Sequence, residues 1–303
     1  MAVIERAVAP NEAEKRAIAE LLALCAAADG SAELSLEKSL NRDPTMESWF
    51  FAWEGGEGAR GPAAGSPALL GLISVFAPRA EEAEISGFVR PEARRKGLFT
   101  ELLAAAEKAL APRGFADELL VVDRLSADGA AFAKGQGAVL VFSEYGLAHP
   151  GPAGLPAEAR AGLPTLVLER ATEADTAALV DILAGAFGDT RENEEAMVRA
   201  SLASKTREQY LARVGGRAVG AVSITREADF MSINGLAVGK DVQGRGYGRA
   251  IVLGCLEEIW KRGAAAKIEV DSSNDKAYRL YLGSGFRVER AVDYWRRPFP
   301  AAD

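Results

Sequence analysis

The chain has 303 residues, 49% of them hydrophobic and 26% charged, with a formal net charge of −7. That is the composition of a globular protein of about two domains, each long enough to bury its own core. The acidic balance argues against a nucleic-acid partner, which calls for a basic face, and no apolar run approaches the ~18 residues of a membrane span. Cys25 and Cys255 are the only cysteines and His149 the only histidine. A disulfide framework, a zinc site, a Ser-His-Asp triad and a multi-histidine metal centre are therefore not expected. The opening MAVIERAVAPNEAEKR lacks the basic start and apolar segment of a signal peptide, so a cytoplasmic location is expected.

Residues 3–8 read as a short strand. Asn11 and Glu14 have capping-box spacing, and residues 12–27 carry helical periodicity up to Gly30. Strands are expected at 49–54, 68–76 and 83–89, with the flexible stretch GGEGARGPAAGSP at 55–67. A polar turn at 91–96 holds Arg94, Arg95 and Lys96 and leads into a helix at 98–110. A strand at 118–123, a short helix at 129–134 and a strand at 138–145 follow. Residues 148–164, rich in Pro, Gly and Ala, read as a linker between domains at 1–147 and 165–303. A short helix near 157–160 is compatible with its sequence.

The pattern then restarts. A strand at 165–170 precedes a helix that Thr172 caps, with Asp175 in third position, running to about 187. Residues 194–201 read as helical. Strands at 210–214 and 218–225 flank Gly215 and Gly216, a two-residue hairpin turn. A strand at 230–238, a helix at 248–262 stopped by Gly263, a strand at 267–271, a helix at 275–282 and a strand at 286–296 complete the chain.

The two halves share this order and several residues. Gly97 and Gly246, and Val89 and Val238, are 149 apart; Asp123 and Asp271, and Gly137 and Gly285, are 148 apart. The predicted fold class is α/β in two tandem copies, each a mixed, mostly antiparallel sheet flanked by helices. The strands at 230–238 and 267–271, joined through a helix, are expected to be parallel neighbours.

The most informative stretch is SINGLAVGKDVQGRGYGR, residues 232–249. A strand, a Gly-rich loop and a helix start in that order make an anion site, because loop N–H groups and the helix dipole converge there. Arg245 and Arg249 add full charges. A P-loop would need GxxxxGK[ST], which is absent. A dinucleotide fingerprint would put its third glycine on Arg249 or Ile251.

Gln243, Gly244, Arg245, Gly246, Tyr247 and Gly248 resemble the Q/R-x-x-G-x-G/A motif of the GNAT superfamily of N-acetyltransferases. The preceding Leu236, Ala237 and Val238, Asn274 after the next strand, and AYRLYLGSGF at 277–286 match the same family. The resemblance covers the chain from 165 onward, and more weakly the first half through Arg94, Arg95, Lys96, Gly97, Leu98 and Phe99. It implies a tandem GNAT protein that uses acetyl-CoA as cosubstrate and no metal, and acetylates a primary amine of a small molecule or peptide. It further implies that Gln243 to Arg249 hold the pyrophosphate and that Leu236 to Val238 pair with the pantetheine arm. Asn274 would orient the arm, and Tyr281 would be the general acid. The alternative for Tyr281 is a core aromatic packing on Tyr278, and Asn274 is also compatible with a helix cap. No general base is visible. The strand at 230–238 has no acid, and Glu227 and Asp229 only precede it. A non-catalytic acyl-CoA-binding module is the alternative reading. In the first half Ala133, Ser126 and Phe99 stand where Tyr281, Asn274 and Gly248 stand in the second, so chemistry is expected only in the second.

Overall fold

The structure is a computed structural model and describes residues 2–32, 34, 36, 38, 41–55, 67–156, 158–188 and 190–300. Most of the loop expected at 55–67, and the start of the helix considered at 157, lie outside them. The chain forms two units, Met1–Ser143 with Val292–Asp303, and Glu144–Ala291.

Unit 1 opens with β1 (Ala2–Ala7) and α1 (Glu12–Asp29), continues through β2 (Trp49–Glu54), β3 (Leu69–Phe76) and β4 (Glu82–Val89), and then α2 (Leu98–Leu110), β5 (Asp117–Asp123) and α3 (Ala127–Gly135). Asn11 starts α1 with the expected capping box, its side chain accepting from the Ala13 and Glu14 N–H groups. Gly30 ends α1 at φ 85°. β1 to β4 pair antiparallel in order, and β4 pairs parallel with β5. Period-2 alternation in β2 sends Phe50 and Ala52 to the α2 side, where Leu102, Ala106 and Leu110 lie. Trp49, Phe51 and Trp53 go to the α1 side against Ile18, Leu21 and Cys25.

β6 (Val139–His149) leads into unit 2, which holds β7 (Val167–Arg170), α4 (Thr176–Phe187), α5 (Arg191–Ala203), β8 (Arg207–Val214), β9 (Arg217–Arg226) and β10 (Phe230–Val238). α6 (Tyr247–Lys261), β11 (Ala265–Asp271), α7 (Asp275–Gly283) and β12 (Arg287–Pro298) follow. Gly215 and Gly216 both take positive φ, the backbone of a two-residue hairpin turn. β10 and β11 are parallel neighbours, as their connection through α6 requires.

The closing strands are exchanged relative to their sequence order. Residues 144–149 of β6 pair with β11, and residues 292–298 of β12 pair with β5. The compact units thus depart from a division at 147 and 165. The stretch read as an open linker packs on unit 2. His149 and Ala159 are buried there, and Leu155 and Leu163 lie against its core. Apolar residues spaced through 147–163 give that stretch a surface to bury, which offsets the mobility its glycines and prolines suggest. Residues 144–149 have the same alternation as any half-buried strand, so their local pattern is silent on which sheet they complete.

Candidate functional site

The site is built where β10 ends. Asn234 pairs with Ser223 and Ala237 with Ala221, so Gly235 and Leu236 oppose the single residue Val222 in a β-bulge. Gly235 takes φ +58°, a conformation costly for any residue with a Cβ. Ser223 Oγ donates to the Asn234 carbonyl at 3.2 Å and braces the bulge. On the other edge, pairing with β11 ends at Ile233 and Ile268, although β10 runs on to Val238 and β11 to Asp271. The two strands part there, and the β10 edge from Asn234 to Val238 has no β11 partner. Leu236 and Val238 pack on the α6 side, while Ala237 turns to the opposite face with Leu179 and Val180. The one trace of the bulge in the sequence is Gly235 inside an apolar strand, which does not fix the register.

The loop follows directly. Gly244 and Gly246 take φ +75° and +84°, and Gly246 is the N-cap of α6, which therefore starts one residue before the expected 248. The first helical bond runs from Ala250 N–H to Gly246 O at 3.1 Å. The N–H groups of Tyr247, Gly248 and Arg249 come before it and have no acceptor within the helix. A Cβ added at Gly244 would meet nothing within 4 Å, so the loop is open there, whereas one at Gly246 would sit 3.2 Å from Leu163 and from Pro164. Gln243 Nε2 donates to the Val238 carbonyl at 3.1 Å and ties the loop to the strand end. Arg245 donates to the Asp241 carbonyl at 3.3 Å. The Arg249 guanidinium lies over Gly283, where a Cβ would be 2.6 Å from Nη2. Among the described residues neither arginine has a carboxylate partner. A turn of two left-handed glycines that is open at Gly244, helix-start N–H groups with no acceptor within the helix, and two cations without a carboxylate partner among the described residues could hold a pyrophosphate.

α7 supplies the third wall. A Cβ on Gly248 would sit 3.2 Å from Leu280 and 3.8 Å from Val238, so the start of α6, the end of β10 and α7 meet at this glycine. Asn274 is the N-cap of α7, accepting from Ala277 N–H at 3.1 Å. Tyr281 lies two turns further along and is 6% exposed. It packs on Phe286 (6.2 Å between centroids) rather than on Tyr278, which stacks on Tyr145 at 5.0 Å. Burial, with a smaller contribution from Cys255, pushes the Tyr281 phenol up to about 12. Its hydroxyl has no hydrogen-bond partner among the described residues.

The remaining reactive groups are occupied by structure. His149 is buried between Trp260 and Phe286. Cys255 is fully buried, and its thiol is pushed up by desolvation. Glu227 accepts from Ser232 Oγ at 3.1 Å just before the bulged part of β10. Among the described residues no group of three or more His, Cys, Asp or Glu could hold a metal ion, and no helix is long and apolar enough to cross a membrane.

A family model described as acetyltransferase (GNAT) family matches the chain twice, at residues 15–137 and 176–286. The chain therefore belongs to the GNAT acetyltransferase family, and both units carry its fold. A GCN5-related N-acetyltransferase from Sphaerobacter thermophilus is similar over 100% of this chain and 97% of its own, at 21% identity and a TM-score of 0.75. A tandem GNAT protein from the clavulanic acid biosynthesis pathway, solved without AcCoA, is similar over the whole of both chains at 17% identity and a TM-score of 0.70. A GNAT-family acetyltransferase from Colwellia psychrerythraea is similar over 97% of this chain and 100% of its own, at 13% identity and a TM-score of 0.62. At these identities the likeness is one of fold. No curated protein matches the chain in sequence.

Proposed function

We propose that unit 2 transfers the acetyl group of acetyl-CoA to a primary amine of a small molecule or peptide, by direct attack in a ternary complex. The observation that carries this reading is the parting of β10 from β11 beside a glycine loop that is open at Gly244. An unpaired strand edge offers N–H and C=O groups to the amides of a pantetheine arm. The loop from Gln243 to Arg249 offers N–H groups and two cations to a pyrophosphate. Acetyl-CoA, when bound, supplies an activated thioester.

Each residue then has a defined task. Gly244, Gly246 and Gly248 let the backbone come close to phosphate. Leu236, Ala237 and Val238 hold the arm, and a backbone N–H at Val238 faces the carbonyl oxygen that gains charge during attack. Asn274 fixes the start of α7 and with it the placement of Tyr281. The amine nitrogen bonds to the acetyl carbon as the carbon–sulfur bond breaks. The sulfur takes the Tyr281 proton, and the nitrogen loses its proton to water. A phenol whose pKa is raised keeps its proton at neutral pH, which is the form an acid must start in.

One observation favours the second reading, a module that binds acyl-CoA without turnover: β10 carries no carboxylate to serve as base. Thiol release from acetyl-CoA, followed across a panel of amines, separates the two. Amine-dependent release is expected. Tight binding of acetyl-CoA with no release by any amine would favour the module.

A further inference from the structure

We propose that coenzyme A does not enter unit 1, whose own side chains fill the place it would take, so that the chain binds one molecule rather than two. This rests on the reading of unit 2 given above, since unit 2 supplies the template for the comparison.

The backbone of the site is retained in unit 1. Gly97, the counterpart of Gly246, is the N-cap of α2 and has the same φ of 84°. β4 and β5 also part, after Ser86 and Val121. The space this opens is occupied. Phe99, counterpart of Gly248, lays its ring on Gly87, where a Cβ would be 2.6 Å from Phe99 Cε2. Phe132, counterpart of Leu280, meets Phe99 edge to face at 4.8 Å. Two packed rings leave no room for a pantetheine arm at interior density. The strand is also regular. β4 pairs with β3 without interruption from Glu84 to Val89, where β10 has its bulge.

At the phosphate end two of the three cations are paired with carboxylates. Arg94, counterpart of Gln243, binds both Asp29 oxygens (2.8 and 2.7 Å) and the Val89 carbonyl (3.0 Å). Arg95 reaches Asp128 at 3.3 Å, while Lys96 Nζ donates to the Glu92 carbonyl at 2.8 Å, the contact its counterpart Arg245 makes with Asp241 in unit 2. Arg95 holds φ +61° in the place of Gly244 and, among the described residues, is the one non-glycine with positive φ. Its side chain stands where unit 2 is open. Asp29 neutralises Arg94, so that cation is not free to bind a phosphate.

The test is the number of coenzyme A molecules bound by the full chain, counted by native mass spectrometry with coenzyme A as the probe. One is expected. Gly248→Phe, which copies Phe99 into unit 2, is expected to reduce the count to zero with the circular dichroism spectrum unchanged. Two molecules on the unaltered chain, or one surviving Gly248→Phe, would overturn the proposal. If that variant does not fold, hydrogen exchange on the unaltered chain decides instead. Coenzyme A should slow exchange at 244–250 and leave 95–101 unchanged, and slowing at 95–101 would overturn the proposal. No binding at all would defeat the reading of unit 2 and leave the closure of unit 1 standing, so the two failures are distinct.

Discussion

Gln243 donates its side-chain amide to the carbonyl of Val238 at 3.1 Å, joining the glycine loop to the end of β10, the two parts of the site proposed to hold different ends of acetyl-CoA. Losing the bond frees the loop relative to the strand without removing any group that touches the thioester. Gln243→Ala is expected to raise KM for acetyl-CoA roughly three- to thirty-fold and to change kcat by less than about three-fold, as loss of uniform binding does. Steady-state kinetics at a saturating amine concentration check this.

Tyr281 is assigned the proton donor, and its burial makes that assignment testable. Tyr281→Phe keeps the ring on Phe286 and removes only the hydroxyl. A fall in kcat of about 10²- to 10⁴-fold is expected, with the acetyl-CoA dissociation constant nearly unchanged. With the phenol pushed up to about 12, its ionisation should not lower activity up to about pH 10. A core role alone would lower thermal stability and leave kcat near that of the unaltered chain.

His149 ties β6 into unit 2. Its Nδ1 accepts from Gly151 N–H at 3.1 Å, which leaves Nε2 to donate to the Ser284 carbonyl at 3.2 Å. Burial holds its pKa below the usual 6.5. The unfolded chain therefore binds a proton at higher pH than the folded chain, and stability falls as pH drops below about 6.5. His149→Gln should remove this acid-side loss in melting temperatures measured between pH 7.5 and 5.

Glu118 works in the opposite direction within unit 1. It is fully buried beside Arg297, which also pairs with Glu107, and its Oε2 has no hydrogen-bond partner. Burial pushes it up from 4.5 to about 7, with Arg297 opposing and Glu107 adding to the rise. The folded chain holds this proton longer than the unfolded one, so stability falls as pH rises from 4.5 through 7. At about 1.4 kcal/mol per unit, a rise of that size corresponds to a loss on the order of 3–4 kcal/mol. Glu118→Gln should flatten that slope in urea unfolding at pH 5 and pH 8.

The capped start of α1, the Gly215–Gly216 hairpin and the glycine loop were legible in the sequence, because each is written in adjacent residues that admit few other backbones. The bulge at Gly235 and Leu236 was not, since its register depends on β9 and a brace from Ser223. The exchange of closing strands was also hidden, because residues 144–149 and 292–298 look like strands wherever they pair. Phe99 marked unit 1 as altered at a site position. That its ring covers Gly87 required the fold, which brings α2 over β4.

That exchange has a consequence for truncation. A cut at 150 removes residues 144–149, leaving the β6 edge of β11 unpaired and taking buried Leu147 and His149 from the core of unit 2. A fragment of residues 151–303 should be insoluble or melt far below a fragment of residues 144–291. Equal stability of the two would show that β6 contributes nothing to unit 2.

Acetyl transfer by unit 2 can be followed through its product. The direct measurement is mass spectrometry of product from [¹³C]acetyl-CoA and an amine panel, comparing the unaltered chain with Gly248→Phe. One labelled acetyl group on an amine per thiol released is predicted for the unaltered chain, and none for the variant. Labelled product formed equally well by Gly248→Phe would contradict the claim.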